Sequence, residues 1–244
     1  MAMLYRYLRL REEQHFQRLS DLLLSGNLFL RQAARFNDPN EFRFQLRAPK
    51  EKAVIQKGWQ QDHPNGTIEE FEAWFSTTNF EGWHLYHEPA LHQEFCQRFG
   101  VACFSKTADN PTMWAHYADE HNGVCVGFAD LSIDSFPGIT MAGDVNYQAE
   151  LPVVQYFGEE PQQVAHKIFF TKSADWGYER EFRLVADADT TLTMNPALVQ
   201  EVILGMHMSE SNRDRVRKIA ACRGTSVSVR TAHLSYSKYE MDIS

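Results

Sequence analysis

The sequence predicts an α+β fold built around a substantially antiparallel sheet. Apolar residues recur with period two in some segments and with helical period in others. These segments follow one another without the strict strand–helix–strand rhythm of a parallel sheet. The composition, 43% hydrophobic and 23% charged, is that of a chain that forms a packed core. At 244 residues the expectation is a single domain over residues 1–244, with an inserted helical layer at about 53–100.

Met3 to Leu10 reads as a strand, followed by a helix with Phe16, Leu19, Leu22 and Leu23 on one face and Gly26 as its stop. Leu28 to Leu30 reads as a second strand. It leads into Arg35-Phe36-Asn37-Asp38-Pro39-Asn40-Glu41, where Asn, Asp and Pro together favour a tight turn. In the inserted layer Thr67 and Glu70 form a capping box, Ile68, Phe71, Trp74 and Phe75 follow at helical spacing, and Leu91, Phe95 and Phe99 repeat it. Val101 to Ser105 returns as a strand. Asn110-Pro111 then starts a helix over 112–121 that Asn122-Gly123 stops. Further strands are expected at Val124 to Phe128, Val145 to Tyr147, Phe182 to Ala186, Val202 to Leu204 and Ser226 to Leu234, with helices at Gln162 to Thr171 and Ser211 to Cys222.

The 24 Lys+Arg against 32 Asp+Glu give a net charge of -8, so the overall field does not attract phosphate polymers. No uncharged apolar run reaches membrane-spanning length, and Arg6, Arg9, Arg11, Glu12 and Glu13 leave no signal-peptide stretch, so a cytoplasmic protein without membrane association is expected. Cys96, Cys103, Cys125 and Cys222 form no CxxC pair, which disfavours a zinc ribbon and favours reduced buried thiols. The phosphate loop GxxxxGK[ST], GxGxxG, GxSxG and HExxH are all absent. No metal site is expected.

Three constellations carry chemistry. In Trp176 to Val185, read as a strand, alternation puts Glu179, Glu181 and Arg183 on one face and Tyr178, Phe182 and Leu184 on the other. Two carboxylates and a guanidinium on a cleft wall suit stabilisation of a developing positive charge, whereas on an outer face they are a solvated surface with weak ion pairs. In Met113 to His121, read as a helix, Trp114, Tyr117 and His121 share a face that would offer aromatic rings to a planar ligand or simply pack in the core. His116 and His121 are five apart, which argues against a shared metal. The turn with Arg35, Asn37 and Asp38 is either structural or a phosphate-facing loop.

Taken together, Leu4-Tyr5-Arg6-Tyr7, Phe36-Asn37-Asp38-Pro39, Cys103-Phe104-Ser105 through Met113-Trp114-Ala115-His116-Tyr117 to His121-Asn122-Gly123, then Lys172, Trp176, Tyr178 to Arg183 and Gly205 resemble the bacterial domain of unknown function 2971 family over nearly the whole chain. More distantly, the order of elements is similar to the ADP-ribosyltransferase superfamily. That likeness implies a split sheet, NAD as substrate, and a strand glutamate that stabilises the cation formed as nicotinamide leaves. Carried onto this sequence, it makes Glu181 or Glu179 that glutamate, with Arg183 beside it. Arg6 becomes the early basic residue, with Tyr5 or Tyr7 as replacements, Ser105 the middle residue, and Trp114 or Tyr117 the ring on nicotinamide. Arg35, Asn37, Asp38, His116 and His121 complete the expected dinucleotide cleft.

The expectation is therefore an ADP-ribosyltransferase-like protein that passes ADP-ribose to a nucleic-acid or protein acceptor, as a toxin or defence effector. Removing Glu181 should then stop nicotinamide release without unfolding the chain. Two alternatives stand beside it: a metal-dependent nuclease or phosphodiesterase using Asp38, Glu179 and Glu181, and a non-catalytic module that binds a nucleotide or a protein.

Overall fold

In the computed structural model, which describes residues 3–129, 131, 133–187, 191–224 and 226–244, strand alternation and helical periodicity are realised in two compact units. The first comprises Met1–Gln32, Phe99–Val145 and Asp175–Ser244, the second Ala33–Arg98 and Asn146–Ala174. The chain begins with β1 (Met3–Leu8), α1 (Glu13–Ser25), β2 (Asn27–Phe29) and β3 (Arg31–Gln32). It enters the second unit through β4 (Gln45–Arg47), α2 (Lys52–Asp62), α3 (Ile68–Thr77) and α4 (Trp83–Arg98). It returns with β5 (Gly100–Ser105), α5 (Pro111–Tyr117), β6 (Val124–Ala129) and β7 (Met141–Asp144). A second excursion supplies β8 (Asn146–Gln148), β9 (Val153–Gln155), α6 (Pro161–Phe169) and β10 (Thr171–Ser173). The remainder is β11 (Glu181–Ala186), β12 (Thr191–Thr193), β13 (Val199–Leu204), α7 (Glu210–Ala221), β14 (Ser228–Leu234) and β15 (Met241–Ile243).

Among the described residues the first unit holds a nine-stranded sheet in the order β15-β14-β13-β6-β1-β5-β11-β7, with β3 also on β5. Within it only β13–β14 is parallel, so the mixed, mostly antiparallel architecture expected from the sequence is found. One face of the sheet presents Leu4, Phe104, Val126, Leu184 and Val202 to Phe16, Leu19 and Leu23 of α1 and Val216 of α7. The other presents Tyr7, Cys125 and Ile203 to Met113 and Trp114 of α5. The second unit is organised by two three-residue parallel pairs, β4–β9 and β10–β8, and by an aromatic core around Ile55, Trp59, Phe71 and Phe157.

Several local expectations are met. Thr67 and Glu70 form the capping box of α3, and Asp38 accepts from the Asn40 backbone N–H at 2.8 Å in the Asn-Asp-Pro turn. Others are corrected. The helix expected over 112–121 ends at Tyr117, and Asp119, Glu120 and His121 all take positive φ (55°, 52° and 69°), which no helix continues through. The strand read over Trp176 to Val185 begins at Glu181, because Ala174–Glu179 is a 3-10 segment and Arg180 has φ 49°. Of the four free thiols, Cys96 and Cys125 are buried as expected, while Cys103 is half-buried and Cys222 exposed.

Gly26 ends α1 at φ 71°, with its N–H donating to Asp21 and Leu22 carbonyls, and a Cβ there would sit 2.0 Å from the Met194 carbonyl oxygen. Gly26→Ala is expected to cost more than the ~1–2 kcal/mol of a left-handed residue alone, because strain and overlap add. Chemical denaturation of the variant, read as a lowered midpoint at unchanged slope, checks this.

Candidate functional site

Strand register on the α5 side of the sheet assembles a transverse row. Glu201 pairs with Gly127, Gly127 with Tyr5, Tyr5 with Ser105, and Ser105 with Glu181, across β13, β6, β1, β5 and β11. Directly paired residues share a face, so Tyr5 and Ser105 lie between two carboxylates. Gly127 matters to this, because a Cβ there would meet the Glu201 Cγ at 2.7 Å and crowd the side chain that engages Tyr5. β1 and β5 are joined at the Tyr5–Ser105 pair, and the far end of β5 is taken by β3 through Arg31–Val101 and Gln32–Gly100.

At one end of the row Glu181 (4% exposed) forms a two-pronged ion pair with the fully buried Arg183: Nε donates to Oε2 at 2.7 Å and Nη2 to Oε1 at 3.3 Å. Charge-assisted forks of this kind fix a carboxylate in position as well as in charge. Glu179 is buried too. Its carboxylate accepts from the Tyr117 hydroxyl, and its carbonyl accepts from Ser105 Oγ at 2.7 Å. Asn110 caps α5 through Thr112 N–H at 2.9 Å and donates to the Tyr178 carbonyl at 3.1 Å, tying that helix to the segment before β11. At the other end Glu201 accepts from Arg230 Nη1 at 3.3 Å.

This surface is therefore a covered set of paired charges and not a solvated sheet face. Glu179 joins it from the 3-10 segment, outside the strand, and Tyr178 packs with the α5 cluster instead of beside Phe182 and Leu184.

Arg6 is not part of the row. Alternation along β1 puts it with Leu4 and Leu8, where its guanidinium lies 5.8 Å over the Phe104 ring and donates to the Phe29 carbonyl at 2.8 Å. Burial, with Arg31 and Arg18 nearby, lowers its pKa to about 10 against the opposing influence of Cys103. Tyr7 shares the face of Tyr5 but is committed to structure, donating to the Thr107 carbonyl at 3.0 Å and meeting Trp114 edge-on at 5.4 Å. Trp114 is 0% exposed and gives its indole N–H to the Ala108 carbonyl, so it is core and offers no ring to a ligand. His121 stacks on Trp114 at 6.5 Å through the left-handed turn, not through helical spacing. His116 is exposed and shares a 3.0 Å hydrogen bond with the Tyr178 hydroxyl. Arg35, Asn37 and Asp38 belong to the second unit, where Arg35 and Asn37 are exposed and Asp38 is buried. Among the described residues no three His, Cys, Asp or Glu side chains converge as metal ligands.

Sequence reading passed over Glu201 and Arg230. The acid directly before the apolar run Val202 to Leu204 was the available signal for Glu201, since a carboxylate in a buried strand needs a partner.

Burial, then the charge and hydrogen bond of Glu201, push the Tyr5 phenol from 10.0 up to about 12. A raised pKa contributes stability that is whole below the ordinary value and is lost as pH climbs from 10.0 to about 12. Tyr5→Phe should remove one late-ionising phenol from the near-ultraviolet tyrosinate titration and flatten part of the stability loss in that window. Tyr7, raised further by burial, keeps the remaining alkaline loss in place.

No curated protein and no solved structure matches the chain. Among the described residues no helix is long and apolar enough to cross a membrane. The blocks around Met113 to Tyr117, His121 to Gly123, Lys172 and Tyr178 to Arg183 fall inside one matched stretch, whereas Leu4 to Tyr7, Phe36 to Pro39 and Gly205 lie outside it. Over residues 113–184, from α5 into β11, the chain matches the family model described as a protein of unknown function, DUF2971, the family the sequence resembles.

Proposed function

We propose that the chain is an ADP-ribosyltransferase-like enzyme that takes NAD as substrate and passes ADP-ribose to a nucleic-acid or protein acceptor, in the manner of a toxin or defence effector. The observation that carries this reading is the row Tyr5–Ser105–Glu181 on three neighbouring strands. In the reaction the bond between ribose C1′ and the nicotinamide nitrogen breaks, its electron pair leaving with nicotinamide. The acceptor then adds to C1′ and gives up its proton. Positive charge develops on the ribose, and a fixed carboxylate is the group that opposes it.

Glu181 is that group here. Arg183 holds it in place, so no reorientation is needed at the moment of reaction. Tyr5 takes the early position in place of Arg6, which faces the opposite side of the sheet, and offers a phenol that stays protonated through neutral pH. Tyr117 is the remaining ring for nicotinamide, since Trp114 is buried. Glu179 positions Tyr117 through its carboxylate and Ser105 through its carbonyl.

The burial of the Glu181–Arg183 pair favours a second reading, a nucleotide-binding module without turnover, because a substrate must compete with the guanidinium for the carboxylate. The same burial corrects the expectation that Glu181 is removable without effect on folding. Breaking a buried pair from one side costs ~3–5 kcal/mol, whereas replacing both partners by apolar side chains is often neutral. The test therefore uses Glu181→Gln, the pair Glu181→Leu with Arg183→Met, and Tyr5→Phe, each with its melting curve. Nicotinamide release from NAD should fall about 10²–10³-fold in the first two, with the double variant still folded. Turnover unchanged in the folded double variant removes Glu181 from the mechanism, and NAD binding without any nicotinamide release selects the binding module.

A further inference from the structure

We propose that the second unit carries a binding site for a small alkylated ammonium cation, in the cavity of about 490 Å³ walled by Trp59, Trp74, Trp83, Tyr86 and Tyr156 with Asp62 at its rim. The site lies wholly within the second unit and rests on no part of the NAD reading. Its volume is in the range of small-molecule pockets.

Three observations select the ligand chemistry. The first is charge. Asp62 is the one acidic residue in the lining, His63 and His87 are its basic members, no lysine or arginine lines the cavity, and Asp62 makes no ion pair among the described residues. An anion, or the phosphate of a nucleotide, would find no lysine or arginine there and would face the Asp62 carboxylate. The carboxylate already acts on its surroundings, since burial and then the Asp62 charge raise the Tyr156 phenol.

The second is shape. Trp74 meets Trp83 at 67° and 5.9 Å and Phe157 at 84° and 6.4 Å, while Trp83 and Tyr156 lie at 33° and 4.5 Å and Trp59 and Trp74 at 34° and 6.3 Å. Rings this close touch one another and leave no slot between two parallel walls for a planar base, whereas the outward face of an indole is its electron-rich side and receives a cation. The third is a neighbouring contact in the same cluster. The ammonium of Lys52, paired with Glu72 at 2.6 Å, sits 4.9 Å from the Phe75 ring centre and 5.8 Å from that of Phe71, two rings outside the cavity lining.

The cavity also differs from a finished core. Trp74 and Trp83 are half-buried and Tyr86 is 79% exposed. Alkylation of the ligand nitrogen matters because it lowers hydration while keeping the charge, so transfer from water to an aromatic wall is less opposed.

The experiment titrates the full chain with choline and with its uncharged isostere, in which carbon replaces the quaternary nitrogen. Quenching of tryptophan fluorescence is the readout, since three of the five tryptophans line the cavity. Saturable choline binding, with the isostere about tenfold weaker, is expected. Asp62→Asn and Tyr86→Ala, both at exposed positions that tolerate substitution, should each weaken choline several-fold, and Asp62→Asn should also reduce its salt sensitivity. Equal affinity for choline and the isostere overturns the proposal, as does failure of choline to saturate. Binding only to phosphatidylcholine vesicles, with no response to free choline, overturns the assignment to a small soluble cation.

Discussion

The pairing of Tyr5 with Ser105 decides which side chains of β1 stand level with Glu181. Two ladders carry it across the sheet: β1 pairs with β6 over six residue pairs and β5 with β11 over another six, while β1 and β5 themselves meet at this one pair. A slip by one residue would exchange the faces of the whole strand, sending Tyr5 into the apolar side and bringing Arg6 level with Ser105 and Glu181. Leu4 and Leu8, packed beneath Phe104 and Val126, oppose that slip with their buried area. The hydrophobic pattern of β1 thus puts a tyrosine, and not an arginine, in the row with Ser105 and Glu181.

The charges that this register gathers are all engaged. Glu181 is held by Arg183, Glu201 by Arg230 and Glu179 by the Tyr117 hydroxyl. Arg213 spends its guanidinium on the Met208, Gly205 and Met206 carbonyls near the end of β13. Desolvation makes such pairs poor sources of stability compared with apolar side chains of equal volume. A strand with Glu and Arg where Val and Leu would pack, directly before the buried Leu184 and Val185, fits the proposed site, which stability tolerates but does not require.

Local pattern made much of this architecture legible. The α1 stripe, the α3 capping box, the apolar runs of β5, β6 and β11 and the turn at Asp38 depend on neighbours within one or two turns of chain. What escaped depends on distant partners. Tyr5, Arg6 and Tyr7 were all expected in one cleft, although strand alternation sends Arg6 to the opposite face, and the pairing of Tyr5 with Ser105 brings the tyrosine level with Glu181. Glu179 entered the site because Arg180 adopts a left-handed conformation, which an arginine does not advertise. The break after Tyr117 escaped for the same reason, since three consecutive left-handed residues ending in His121 carry no glycine. Strands of two or three residues, such as β3, β4, β9 and β12, are too short for a period to show.

Trp114 and the tryptophans of the second unit differ in how their rings are covered. Trp114 in the first unit is closed over by Tyr7, Met113 and Ile203, and its indole N–H is satisfied by a carbonyl, which is what a core position demands of that side chain. Trp74 and Trp83 in the second unit keep part of their surface in solvent although Trp59, Phe71 and Phe157 beside them are buried. A cluster assembled only for packing would have little reason to leave indole faces uncovered, since each holds apolar area that burial would turn into stability. The tryptophan, tyrosine and phenylalanine rings of the lining meet at angles from 33° between Trp83 and Tyr156 to 84° between Trp74 and Phe157, with the Asp62 carboxylate among them. That arrangement leaves binding energy unspent inside the unit and available to a ligand of opposite charge.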